Sequence, residues 1–130
     1  MRYEEIPVEP ALRHLVVNFW LFAADERDPP RFEHTIVPDG TSAIGFSRPS
    51  RFADGVAVFV GPRVTAAKVE VVAGGRYCGI RFQPGAGGSA LRLRIDSLRD
   101  RHGLLSMVSP DAAVVVVDAM RGADGDGDEL

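Results

Sequence analysis

The feature that most constrains the fold is a series of short apolar segments, each ended by glycine, proline or a polar loop. Six such segments occupy residues 14–23, 32–37, 41–47, 56–60, 66–72 and 77–82. Many of their residues are β-branched or aromatic, which favours strands over helices. Short strands separated by turn residues are typical of antiparallel sandwiches and open barrels. We therefore expect about six antiparallel strands between residues 14 and 83.

Turn residues mark the ends of several of these segments. Pro38, Asp39 and Gly40 predict a tight hairpin turn between the second and third segments, because proline fixes φ at one turn position and glycine accepts the positive φ that another requires. Glycine and proline also follow the fourth and sixth segments, where they are expected to end a strand. The residues predicted to form structural turns are Pro38, Asp39, Gly40, Gly61, Pro62, Pro84 and Gly85.

The pattern changes after residue 85 and predicts helices at about 86–121. Residues 89–95 and 97–102 have arginine-rich polar faces, which favour two short helices. Ser109 followed by Pro110 is typical of a helix start, with a capping serine and a proline in the first turn. The four valines at 114–117 favour a strand locally, so helix and strand are both open there. We favour the helix.

The length and composition fit one domain. A chain of 130 residues buries about two-thirds of its unfolded surface, which is enough for an independent core. We expect residues 1–122 to form a single α+β, mainly β domain: an antiparallel sandwich or open barrel of about six strands followed by short helices. Residues 123–130 form an acidic, glycine-rich tail that we expect to be disordered.

Charge and apolar patterning limit the function classes. The net charge is −3, but four of the 18 acidic residues lie at 124–129, so the rest of the chain is nearly neutral. A neutral body is a poor electrostatic match for the nucleic-acid backbone. No apolar run has the length of a signal peptide or a membrane span. We expect a cytoplasmic protein that does not contact a membrane.

The sequence contains no recognisable catalytic constellation. His14, His34 and His102 are not spaced to place two imidazoles on one face, and no nucleophile elbow occurs. The single cysteine, Cys78, excludes an intrachain disulfide and lies within an apolar strand pattern, where a buried structural thiol is expected. We expect no catalytic residue, metal ion or cofactor, although a small metal-dependent enzyme using one histidine remains open as an alternative.

Aromatic and polar residues within the strands are candidates for a ligand site. Trp20, Phe46 and Tyr77 could supply apolar surface for a small molecule. Arg81 could hold a carboxylate, because a guanidinium group pairs with it through two hydrogen bonds. The alternatives are that the aromatics form ordinary core and that Arg81 points to solvent, to Asp39 or to Glu70.

The order of several motifs resembles a known family. The motifs are Phe19-Trp20, Ile36-Val37-Pro38-Asp39-Gly40, Val60-Gly61-Pro62, Gly79-Ile80-Arg81-Phe82-Gln83-Pro84-Gly85, Ala90-Leu91 and Ser97-Leu98-Arg99-Asp100-Arg101. Together they resemble the N-terminal domain of one subgroup of AraC-type bacterial transcriptional regulators, over about residues 5–108. The resemblance implies a cupin-like half-barrel that senses a small effector, forms a homodimer, or does both.

The resemblance also implies that DNA is bound by a separate part. In such regulators a C-terminal part with two helix-turn-helix units contacts DNA, and nothing in residues 103–130 resembles a recognition helix. We therefore expect a regulatory domain that does not itself bind DNA and is not an enzyme. A stand-alone interaction module, pairing through a sheet edge or through residues 112–117, is a further alternative to the metal-dependent enzyme.

Overall fold

A computed structural model describes residues 2–25, 31–36, 39–48 and 54–125. The strands in this part of the chain are β1 (Arg2–Ile6), β2 (Val16–Ala23), β3 (Arg31–Ile36), β4 (Ala43–Arg48), β5 (Val56–Val60), β6 (Ala67–Val72), β7 (Arg76–Phe82) and β8 (His102–Leu104). The α-helices are α1 (Ala86–Leu91) and α2 (Pro110–Gly125), and single 3-10 turns lie at Pro10–Leu12, Ile95–Leu98 and Leu105–Met107.

Six of the strands form one antiparallel sheet in the order β1-β2-β7-β4-β5-β8. The other two, β3 and β6, pair with each other in a second antiparallel sheet. Two α-helices follow the strands up to β7, as expected, although α1 ends at Leu91 and not at the predicted residue 95. The predicted α+β, mainly β fold, with an antiparallel sheet followed by short helices, is therefore confirmed.

The sequence pattern located six strands but not the two at the edges of the large sheet. β1 is fully exposed and mostly polar, so it lacks the apolar alternation that identifies a half-buried strand. β8 has only three residues and pairs with β5, where Gly103 stands opposite Phe59. The predicted helix at 97–102 is wrong, because this stretch forms a 3-10 turn and then enters β8.

Helix α2 packs on β4, β5 and β7, on one face of the six-stranded sheet. The core between them contains Ala57, Phe59, Leu98, Leu105 and Ala113, and Leu105 is fully buried. Val116 and Val117 pack against this core, which explains why four consecutive valines adopt a helix here. The Ser109 hydroxyl accepts a hydrogen bond from the Ala112 N–H at 3.4 Å, the predicted N-cap contact. The helix continues to Gly125, and residues 126–130 lie outside the described residues.

The turn predicted at Pro38, Asp39 and Gly40 does not close a hairpin, because β3 pairs with β6 whereas β4 pairs with β5 and β7. One Asp39 carboxylate oxygen accepts hydrogen bonds from the Thr41 N–H at 3.0 Å and from the Thr41 hydroxyl at 2.7 Å. Gly40 has φ +74° and Gly85, after β7, has φ +81°, so both use the left-handed region that favours glycine. Pro38 lies outside the described residues.

The turn after β5 is joined to the segment that leads into β8. The Gly61 N–H donates to the Arg101 carbonyl at 2.8 Å, and the Pro62 carbonyl accepts from the Asp100 N–H at 2.9 Å. A side chain at Gly61 would overlap the Leu98 carbonyl, so only glycine allows this close approach. Two motifs that are far apart in the sequence therefore form one structural unit.

Candidate ligand-binding site

Strand register places a group of aromatic and polar residues on the sheet face opposite α2. Residues that stand directly opposite each other in an antiparallel pair share a face. Phe22 stands opposite Tyr77, Trp20 opposite Gly79, and Asn18 opposite Arg81. We call this surface the aromatic face. Its members on β1, β2, β4 and β7 are Tyr3, Glu5, Asn18, Trp20, Phe22, Ala43, Gly45, Ser47, Tyr77, Gly79 and Arg81.

The Trp20 indole extends from β2 across two neighbouring strands. A Cβ atom built on Gly79 would lie 2.7 Å from Trp20 Cζ2, and one built on Gly45 would lie 3.4 Å from the same atom. The two glycines stand opposite each other on β7 and β4. Their lack of side chains leaves the space in which the indole lies. Trp20 is only partly buried, so part of the ring system remains at the surface.

A pair of aromatic rings continues this surface toward the other end of the strands. The centroids of Phe22 and Tyr77 are 5.8 Å apart, with the ring planes tilted by 53°. This tilted arrangement is one that aromatic pairs favour. Phe22 is buried together with Ala24, and Trp20 and Tyr77 pack against them. The aromatic face therefore has a fixed apolar part.

Arg81 supplies the positive charge of the aromatic face. Its Nη2 donates to the Tyr3 hydroxyl at 3.3 Å, and its Nη1 lies 3.6 Å from Glu5 Oε1. The Tyr3 hydroxyl in turn donates to Glu5 Oε1 at 3.0 Å. Partial burial and the hydrogen bond to Glu5 raise the pKa of Tyr3, although Arg81 opposes the shift. β1 thus places a phenol and a carboxylate beside the guanidinium group.

Asn18 is the most buried polar side chain of the aromatic face. It is 7% exposed, and its Oδ1 has no hydrogen-bond partner among the described residues. A buried carbonyl oxygen without a donor is costly, so native structures rarely contain one. This acceptor belongs to the residue opposite Arg81 in the register.

Three of the four predicted ligand residues lie together. Trp20, Tyr77 and Arg81 share the aromatic face, whereas Phe46 lies on the face covered by α2. Phe46 stands opposite both Cys78 and Ala57 and is 6% exposed. The amino-acid composition of β4 could not predict on which face of the sheet Phe46 lies. Side chains alternate between the two faces, so a shift of one position along β4 reverses the assignment.

The expected partners of Arg81 were also different. The structure pairs it with Glu5 and not with Asp39, while the Glu70 side chain lies outside the described residues. Sequence reasoning missed Tyr3 and Glu5 because β1 was not predicted to be a strand. Asn18 had a visible signal, since it is a polar residue inside an otherwise apolar strand.

The opposite side of the domain presents an apolar groove along α2. Its volume is about 360 Å³, and its lining residues are Ser106, Pro110, Ala113, Val114, Val117 and Asp118. Val114 and Val115 are 60% and 68% exposed on the outer side of the helix. Met107, in the turn that precedes α2, is also highly exposed. We call Val114 and Val115 the α2 valine pair.

The other reactive side chains that the structure describes are scattered, and the side chain of His34 lies outside them. Among residues 2–25, 31–36, 39–48 and 54–125, no three His, Cys, Asp or Glu residues are grouped so that they could hold a metal ion. His14 and His102 are exposed and lie on different segments. The Cys78 thiol lies 4.0 Å from the Met120 sulfur, so it faces α2 and not the aromatic face. None of the helices described here is long and apolar enough to cross a membrane.

The fold and the site together define a small, mainly β domain whose sheet carries a helix on one face and aromatic residues on the other. The chain belongs to the family described as a domain of unknown function, DUF6597, whose model matches residues 4–103. The match ends within β8, so it includes nearly all of the aromatic face and none of α2. No curated protein and no solved structure matches the chain.

Proposed function

We propose that this chain is the regulatory domain of an AraC-type transcriptional regulator, which senses a small effector in the cytoplasm and forms a homodimer. The motif order described above supports the regulator class. The observation that carries the sensing role is the position of Trp20 across Gly45 and Gly79, on the same face as Arg81. In this proposal DNA is contacted only by a separate helix-turn-helix part.

The aromatic face has the composition of a small-molecule site. Such sites combine apolar and aromatic surface with a few placed polar groups that orient the ligand. Trp20 and Tyr77 supply the aromatic surface, and Arg81 and Asn18 supply a donor group and an acceptor. All four residues lie on adjacent strands in direct register, so the sheet itself holds their backbone positions.

The α2 valine pair supports the homodimer. Valine is a poorer helix former than alanine, and at an exposed position it gains no compensating burial within one subunit. Exposed apolar surface beside a groove is characteristic of protein interfaces. In a symmetric dimer the same patch on each subunit would cover its copy. This surface also favours the second candidate function, a stand-alone interaction module.

Native mass spectrometry of the purified chain tests the proposal, because it reports subunit number and retained molecules together. We expect a dimer for the wild type and a monomer for the double variant Val114→Lys/Val115→Lys. Val64→Lys is the matched control, since Val64 is 57% exposed but lies in the loop after β5. It should remain dimeric.

Three results would count against the proposal. A wild-type monomer at micromolar concentration would contradict homodimer formation. Loss of the dimer in the Val64→Lys control as well would contradict the assignment of the interface to α2 alone. Stoichiometric metal in the spectrum would indicate the metal-dependent enzyme instead. A retained organic molecule that is absent from a Trp20→Ala variant would support sensing at the aromatic face.

A further inference from the structure

We infer that the ligand of the aromatic face is a small organic acid with an apolar body, and that its carboxylate replaces Glu5 at Arg81. This inference rests on the sensing role proposed above and specifies the chemistry of the ligand. It also assigns a role to Glu5, as an internal carboxylate that competes with the ligand for the guanidinium group.

Arg81 has unused hydrogen-bonding capacity. A guanidinium group carries five N–H donors. Within the described part of the chain, its polar contacts are the 3.3 Å hydrogen bond to Tyr3 and the 3.6 Å ion pair with Glu5. The second distance exceeds that of a hydrogen bond. A free carboxylate could instead bind the two terminal nitrogens with paired, charge-assisted hydrogen bonds.

Glu5 is placed to be displaced. Its side chain is 51% exposed, whereas the Arg81 side chain is 28% exposed. The carboxylate can therefore return to water while Arg81 stays on the sheet. β1 is an edge strand, so no further strand of the six-stranded sheet covers the outer side of Glu5. Tyr3, which bonds both groups, can keep its hydrogen bond to Arg81 when Glu5 leaves.

The surroundings of Arg81 favour an acid with an apolar body over a bare inorganic anion. Trp20 lies one register position away on the same face and offers an aromatic surface for stacking. The unpaired Oδ1 of Asn18, also next to Arg81 in the register, is an acceptor, so it would take a hydrogen bond from a donor such as a hydroxyl on the body of the ligand and not from the carboxylate. A ligand whose carboxylate binds Arg81 would place its apolar body against Trp20.

The chain contains one tryptophan, Trp20, so its fluorescence reports directly on this site. We would titrate the full chain with phenylacetate and with phenylacetamide, which have the same shape but differ in charge. The acid should bind at least ten times more tightly than the amide. In Arg81→Gln this preference should disappear, with circular dichroism confirming that the variant is folded.

Glu5→Gln provides the sharper test, because it removes the competing charge without removing a ligand contact. We expect this variant to bind phenylacetate three to ten times more tightly than the wild type, with little change for phenylacetamide. Glu4→Gln is the matched control. Glu4 lies next to Glu5 but on the other face of β1, paired with Leu21, and its loss should leave both affinities unchanged.

Each contrary result would overturn one part of this inference. Equal binding of acid and amide would overturn the carboxylate assignment while leaving a sensing site in place. If Glu5→Gln binds phenylacetate with the affinity of the wild type, Glu5 does not compete with the ligand for Arg81. Binding of neither compound would overturn the ligand class, whereas the subunit number measured by mass spectrometry would still decide the homodimer independently.

Discussion

Gly79 shows how one missing side chain shapes the candidate site. Its Cβ would lie 2.5 Å from the Ile44 carbonyl oxygen and 2.7 Å from the Trp20 ring. Gly79→Ala should therefore displace the indole and destabilise the fold by about 1–3 kcal/mol, the usual cost of overpacking. Urea denaturation measures the loss of stability, and a red shift of the Trp20 emission reports the displacement.

Gly103→Ala is the matched control for that substitution. Gly103 also lies in a strand, but a Cβ there would be 3.7 Å from the Phe59 ring, an ordinary contact. The stability of the Gly103→Ala variant should equal that of the wild type or exceed it by up to about 1 kcal/mol, because alanine has less backbone freedom to lose on folding. If both variants lose the same stability, the close packing of Trp20 on Gly79 is not what constrains this position.

Asp100 is the residue for which the structure predicts a pH effect. One of its carboxylate oxygens accepts hydrogen bonds from the N–H groups of Val64 and Thr65 and from the Thr65 hydroxyl. The two backbone hydrogen bonds are the main reason that its pKa is lowered. A group whose pKa is lower in the folded state stabilises the fold above its unfolded pKa, about 3.9 for aspartate. This contribution should disappear as the pH falls below about 4 and passes through the folded pKa.

Two variants separate charge from backbone conformation at Asp100, whose φ is +57°. Asp100→Asn keeps an acceptor and tolerates positive φ, so it should retain much of the stability at neutral pH and flatten its decline in acid. Asp100→Gly relieves the backbone strain but removes all three hydrogen bonds, so it should melt at a lower temperature than Asp100→Asn at pH 7. Melting temperatures of the three proteins between pH 3 and pH 7 check this. An equally steep acid decline in Asp100→Asn would exclude Asp100 as its source.

For single residues, the sequence predicted the chemical character of the candidate site better than the sheet face on which each residue lies. Trp20, Tyr77 and Arg81 were chosen as an aromatic and cationic set, and the strand register brings them together. Phe46 has the same chemical character but points to the opposite face. No local signal in the sequence distinguishes the two cases, because the face of a residue depends on pairing with strands far away in the chain.

Strands with strong apolar periodicity could be predicted from the sequence. Strands that are stabilised mainly by hydrogen bonds to a neighbouring strand could not. The predicted segments at 56–60 and 77–82 correspond closely to β5 and β7, which lie inside the large sheet. β1 and β8 lie at its edges and gain their conformation from hydrogen bonds to β2 and β5. The helix at 114–117 was an open choice, because local valine preference and the capping signals disagreed. Packing of α2 on the sheet decided it.

The two sides of α2 should respond differently to the same substitution. Val117 packs against the core, whereas Val115 is exposed. Val117→Ala should cost about 1 kcal/mol of stability, since the lost burial outweighs the better helix propensity of alanine. Val115→Ala should be neutral or slightly stabilising in the monomer. Urea denaturation at a concentration that keeps the chain monomeric measures both, and equal losses would contradict this orientation of the helix.

For the whole molecule, β7 connects the two proposed surfaces. Tyr77 and Arg81 of this strand belong to the aromatic face, while the thiol of Cys78, between them, contacts Met120 of α2. A ligand that repositions Arg81 therefore acts on a strand that also supports the helix. In a sensing domain, binding at the first surface must change the free energy of association at the second.

We therefore predict that saturating phenylacetate changes the dimer dissociation constant by about fivefold or more, within the usual range of coupling between sites. Sedimentation equilibrium with and without the acid measures this change, and phenylacetamide serves as the ligand control. Linkage requires that dimer formation change the affinity for phenylacetate by the same factor. Fluorescence titrations of the wild type and of Val114→Lys/Val115→Lys test that requirement. If the acid binds but the dissociation constant of the dimer does not move, the aromatic face binds a ligand without signalling through α2, and a regulatory signal would have to leave the domain through another surface.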